Sequence, residues 1–180
     1  MRYVTWMLLL GVLVAGLSSC GGSNSGGTLT PTIVSIDSDV ATWTGTPGAS
    51  TYTVKPDIVN VTLNAFPAPP GSTGTTGEKV VIKSATIIYT PANTISPPLP
   101  TQFMTLTGQM VELGNSLPVP VTVASQALKS TPPLSSLVRP NTGIYSYYAT
   151  ITFACDYLIA NNNPFSISSQ ININFADFAN

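Results

Sequence analysis

"YSYYATITFACDYLI" (residues 145–159) is written in strict alternation. Tyr145, Tyr147, Ala149, Ile151, Phe153, Cys155, Tyr157 and Ile159 occupy the odd positions, and every one is apolar or aromatic. Ser146, Thr150, Thr152 and Asp156 stand among the even ones. Successive side chains of a strand point to opposite faces, so this pattern predicts one buried face and one that meets water. The next run repeats it, with Phe165, Ile167, Ile171, Ile173 and Phe175 on one face. Ser166, Ser168, Gln170, Asn172 and Asn174 lie on the other. Between the two runs, "NNNP" (residues 161–164) supplies turn residues, so the pair is predicted to form a hairpin.

Upstream the same period recurs less regularly. "IVSIDSDVATW" and "YTVK" come first, then "IVNVTLNAF", which predicts Val59, Val61, Leu63 and Ala65 inward. "EKVVIKSATIIYT" changes phase near Lys83-Ser84, the mark of a bulge or a change of partner. "QFMTLTGQMVEL" and "VPVTV" complete the strands, and "ASQALKS" suits one helical turn. Proline- and glycine-rich breakers at 67–77, 91–100 and 130–140 separate these runs, and the 16 prolines exclude long helices. Seven to eight short strands of this kind predict an all-β chain, an antiparallel β-sandwich occupying residues 30–180, with an up-and-down barrel of longer and more even strands as the main alternative. About 150 residues bury a sizeable core without disulfide staples.

"TGIYSYYATITF" resembles the penultimate strand of immunoglobulin-like domains, in which a glycine and a corner tyrosine precede a long alternating strand. That resemblance implies an immunoglobulin-like sandwich with Tyr145 or Tyr147 as the corner residue.

The first twenty residues follow a different logic. Arg2 is a positive flank, "YVTWMLLLGVLVAGL" is an apolar run, and the small pair Ser18-Ser19 closes it. This layout is that of a secretory signal peptide at residues 1–19, short for a membrane-spanning helix. "LSSC" (Leu17-Ser18-Ser19-Cys20) resembles the lipobox of bacterial lipoproteins. The resemblance implies cleavage before Cys20, a diacylglyceryl group and an acyl chain on that residue, and palmitate-type lipid as the membrane anchor. Two or more acyl chains hold a protein stably at a bilayer, where one alone is marginal. Gly21 stands where an aspartate would signal inner-membrane retention, so the expected address is the cell outer membrane. "GGSNSGGT" then reads as a flexible tether, placing the lipidated cysteine and linker at residues 20–29.

Chemistry is sparse. Charged residues make up 7% of the chain, against roughly 25% in ordinary domains, and no basic run exists, which excludes the footprint of a nucleic-acid binder. The chain has no histidine, which removes the commonest general base and most zinc sites. With Cys20 lipidated, Cys155 is the remaining thiol, and its place on the buried face predicts a small core hydrophobe. Lys129-Ser130 and Lys83-Ser84 are nominal Ser-Lys pairs, but adjacency in sequence says nothing about catalytic geometry. Asp37 and Asp39, with Asp57 as a neighbour, form a weak calcium candidate, for which two solvated acids guarding an edge strand are the simpler account. Asn60 heads a formal glycosylation triplet inside a strand, taken as chance.

No cofactor and no enzyme activity are expected. The expected role is a lipid-anchored envelope lipoprotein with a structural or protein-interaction function. The alternative is a surface module binding glycans or extracellular polymers, for which Trp43, Tyr52, Tyr145 and Tyr148 supply aromatics. Tyrosines exposed in a row favour the alternative, and a cluster of buried titratable groups favours an enzyme.

Overall fold

The computed structural model describes residues 29–32, 36–44, 51–65, 78–138, 143–158 and 164–178. The expected signal peptide at 1–19, the expected lipidated Cys20 and tether at 20–28, the proline- and glycine-rich stretch 67–77 and the expected turn at 161–163 lie outside the described residues. Ten strands are described: β1 (Leu29–Thr32), β2 (Ile36–Asp39), β3 (Thr42–Thr44), β4 (Thr51–Thr53) and β5 (Asp57–Ala65). They continue with β6 (Lys79–Pro91), β7 (Gln102–Glu112), β8 (Ser116–Ala124), β9 (Tyr145–Tyr157) and β10 (Pro164–Ala176). One helical turn, α1 (Gln126–Lys129), and a 3-10 turn at Leu134–Leu137 lie between β8 and β9. The first was expected; the second falls in a proline-rich stretch read only as a breaker.

A three-stranded sheet in the order β1-β5-β8 faces a five-stranded sheet in the order β2-β10-β9-β6-β7, and β3 and β4 form a separate ribbon. Consecutive strands pair at β3–β4, β6–β7 and β9–β10 and otherwise change sheets, as in an all-β sandwich. Two details differ from the sequence reading. Ten strands are described instead of seven to eight because β1 was not anticipated and because the run at 33–43 yields both β2 and β3: Val40 and Ala41 are both buried, which one alternating strand does not allow. The larger sheet is mixed, because β2 pairs in parallel with β10, Ile173 opposite Ile36. The N-terminal segment thereby closes an edge of each sheet, β1 on β5 and β2 on β10.

Alternation sets the core. Tyr147, Ala149, Ile151, Phe153 and Cys155 of β9 are buried, as are Ile171, Ile173 and Phe175 of β10. They meet Val61 and Leu63 of β5 and Val119, Val121 and Val123 of β8 in one cluster. At about 25 cal/mol per Å² of apolar surface, this contiguous burial is the main favourable contribution to folding. The phase change at Lys83-Ser84 is a bulge: the pairing of β6 shifts between Ile82 and Ser84 against both β7 and β9. Opposite it, Gly108 in β7 has φ +77, a conformation that side chains with a Cβ rarely adopt.

Candidate functional site

Of the buried polar side chains, Ser38 and Lys129 gather at one place, while Glu78, just before β6, and Ser96, in the β6–β7 loop, are buried apart from them. Lys129, in the last turn of α1, turns inward, and its side chain is 1% exposed. Its turn is fixed by Ser125, whose Oγ accepts from Leu128 N at 3.1 Å and donates to Gln102 Oε1 at 3.0 Å. The Lys129 ammonium donates to Asp57 Oδ1 at 2.8 Å and to the Asp39 carbonyl at 2.8 Å. The Ser38 hydroxyl donates to the other oxygen, Asp57 Oδ2, and Ser38 is 0% exposed. The network therefore joins β2, the first residue of β5 and the connection from β8 to β9. No buried side-chain nitrogen or oxygen among the described residues lacks a partner. Beside it, the Tyr89 hydroxyl donates to the Val123 carbonyl, and burial, with the Asp57 carboxylate, raises the phenol well above its ordinary range.

This is the buried titratable cluster that would mark an enzyme, so its geometry matters. A Ser-Lys nucleophile needs the serine oxygen within reach of an uncharged amine and of a substrate. Here serine and lysine bind opposite oxygens of one carboxylate, and both are sealed from solvent. The arrangement suits a cross-strand pin.

Neither adjacent Ser-Lys pair forms a unit. Ser130 is exposed at the end of α1 while Lys129 points into the core. Lys83 pairs with Asp156 across the β6–β9 bulge. The calcium candidates are also separated: Asp37 accepts from Asn174 Nδ2 at 2.9 Å, and Asp39 Oδ1 takes the Ala41 amide at 3.3 Å. Asp57 is held by Lys129. Among the described residues no group of three or more His, Cys, Asp or Glu is placed to hold a metal ion.

Cys155 lies on the buried face of β9. Burial, reinforced by the Asp156 carboxylate, pushes its thiol up to about 12. The stabilisation from burying the neutral thiol is whole below the ordinary thiol range and is lost as pH rises toward that value. In a Cys20→Ala variant Cys155 is the only thiol. Ellman titration of that variant near neutral pH is expected to give no prompt reaction until denaturant is added; rapid native labelling would show an accessible nucleophile.

The aromatics divide. Trp43 pairs with Tyr52 across the β3–β4 ribbon, ring centroids 5.1 Å apart, and its indole N–H donates to Asp177 Oδ2 at 2.9 Å. Tyr145 packs against the core. Tyr147 is buried, and its hydroxyl donates at 2.7 Å to the carbonyl of Pro97, 50 residues upstream. It is thus a tether to the β6–β7 loop, where a tyrosine corner would bond a few residues back.

Tyr148 instead stands on the outer face of the five-stranded sheet, 45% exposed, with Ile88 at 50% and Phe103 at 70%. Thr86 opposes Phe103, Ile88 opposes Thr150, and Thr90 opposes Tyr148. The three exposed residues therefore step diagonally across β7, β6 and β9. Around them Thr152, Ser168, Gln170 and Asn172 face outward, and the charges Lys79, Lys83, Asp156, Asp37 and Glu112 lie at the margins together with the exposed Met110. Sequence reading found the hydroxyls of this face but missed Phe103 and Ile88, which sit among core-forming neighbours. No family model, curated protein or solved structure matches the chain.

Proposed function

We propose that this chain is a lipid-anchored module of the bacterial cell envelope that acts by binding. One contrast carries the reading. Ser38, Asp57 and Lys129 are closed into one network and Cys155 is buried, while the centre of the five-stranded sheet's outer face is uncharged and exposes Phe103, Ile88 and Tyr148. A solvent-exposed sheet face needs no large apolar side chains for stability, so a contiguous set of them marks an interaction surface.

The anchoring half of the proposal rests on Leu17-Ser18-Ser19-Cys20 and its apolar run. An anchor that inserts acyl chains leaves the sandwich free to present its face, with no membrane-active strand or helix required. Among the described residues no helix is long and apolar enough to cross a membrane.

Metabolic labelling with a fatty acid tests the anchor. The native chain is expected to carry the label and to lose the mass of residues 1–19. Cys20→Ala is expected to persist as the unlabelled, full-length precursor. Normal processing and labelling of that variant would end the lipoprotein reading. Crosslinking in native membranes from a photoreactive residue at position 150 then tests the face, with position 130, at the end of α1, as the comparison.

A further inference from the structure

We infer that the outer face of the five-stranded sheet binds an uncharged polysaccharide, laid along the diagonal from Phe103 through Ile88 to Tyr148. This rests on the reading of the chain as a binding module and names its partner by chemistry. Diagonal neighbours on adjacent strands stand about 7–8 Å apart, so the three side chains form an apolar track about 15 Å long. Such a track fits several consecutive rings of an extended polymer better than a single small molecule.

The chemistry of the face selects among partners. Its central positions carry no charge, and the marginal charges are partly spent, Lys83 on Asp156 and Asp37 on Asn174. Polyanions, nucleic acids and charged peptides therefore find nothing to pair with. A protein partner calls for a densely apolar centre, about 65% in the buried core of an interface, whereas here the three apolar side chains of the track are set among hydroxyls and amides, and Met110 stands apart from them beyond the β6 bulge. Thr86, Thr150, Gln170 and Asn172 both donate and accept hydrogen bonds, which matches a ligand whose hydroxyls do the same. Gln170 Nε2 already reaches Thr150 Oγ1 at a long 3.4 Å, a contact readily exchanged for a ligand hydroxyl. Aromatic rings present an electron-rich face that attracts the polarised C–H groups of a sugar ring, so Tyr148 and Phe103 are the expected stacking platforms.

The full chain, purified in a polyoxyethylene detergent that carries no sugar, can be run in native gels containing soluble glucan, mannan or galactan, with dextran sulfate as the charged arm. Retardation is expected in at least one neutral gel and is expected to persist when ionic strength is raised. Tyr148→Ala and Phe103→Ala are each expected to weaken it about fivefold. Both positions are exposed, so melting temperature should stay unchanged, which separates lost binding from lost folding. No retardation by any neutral polymer would overturn the inference, as would retardation by dextran sulfate alone or retardation indifferent to both substitutions. A dimer in light scattering that Tyr148→Glu dissolves would also overturn it, because the face would then belong to a second copy. Continued fatty-acid labelling of Cys20 in those cases would leave the envelope reading standing while the glycan is rejected.

Discussion

Lys129→Met is expected to remove a large part of the folding free energy, about 3 kcal/mol, and Asp57→Asn more, near 5 kcal/mol, out of the roughly 5–15 kcal/mol that holds a domain together. A buried ion pair adds little net stability over apolar residues of the same shape, yet breaking it by half leaves a charge with no counterion. The asymmetry follows from exposure. The Lys129 side chain is 1% exposed and that of Asp57 23%, so an orphaned carboxylate can recruit water while an orphaned ammonium cannot. The double variant Lys129→Met with Asp57→Asn removes both charges and is expected to recover most of the loss. Ser38→Ala deletes one donor to the carboxylate and should cost about 1 kcal/mol. Urea denaturation of all four variants, read as a double-mutant cycle, measures the coupling. Single losses below about 1 kcal/mol, or simple additivity, would show that Lys129 is solvated and that the pin does not exist.

That network also shows where sequence reading stops. The alternation of β9 and β10 was legible because each side chain reports its own face, and the resulting core is the one observed. The bulge at Lys83-Ser84 was legible for the same reason, as a slip in phase. β1 was not: "LTPT" has no alternation to read, and its strand character comes from pairing with β5. Phe103 and Met110 are an odd seven residues apart and are both exposed, which only the irregularity around Gly108 reconciles. The partners of Lys129 lie 72 and 90 residues away, brought together by strand order that no local pattern encodes. A lysine seen alone is read as solvated, because most lysines are. The outer face was half legible: its hydroxyls and amides sat at predicted positions, whereas the diagonal depends on the register of three strands at once.

Tyr147→Ala is expected to cost about 3–5 kcal/mol, while Tyr147→Phe costs about 1 kcal/mol. The ring fills a fully buried site, edge-on to Tyr89 at 6.2 Å and to Phe175 at 5.8 Å, so truncation to alanine leaves a cavity between β6, β9 and β10. Phenylalanine keeps that packing and removes only the donor to Pro97 O, which is half-buried and can be met by water. The hydroxyl's effect should therefore appear locally. The β6–β7 loop is sewn to the start of β9 by the Tyr147 hydroxyl, by Ser146 N donating to Ser96 Oγ at 2.8 Å, and by Ala92 N donating to Ser146 O at 2.9 Å. Losing one of these stitches leaves the sheet pairing of β9 intact but raises the frequency with which the loop lifts away. In Tyr147→Phe, hydrogen exchange at the Ala92 and Ser146 amides is expected to accelerate while the amides of Ile151 and Phe153 stay protected. In Tyr147→Ala both sets should accelerate together, because the opening becomes global. Equal costs for the two variants would assign the stability of this corner to the hydroxyl and not to the ring, contradicting the packing on which the sandwich is argued to rest.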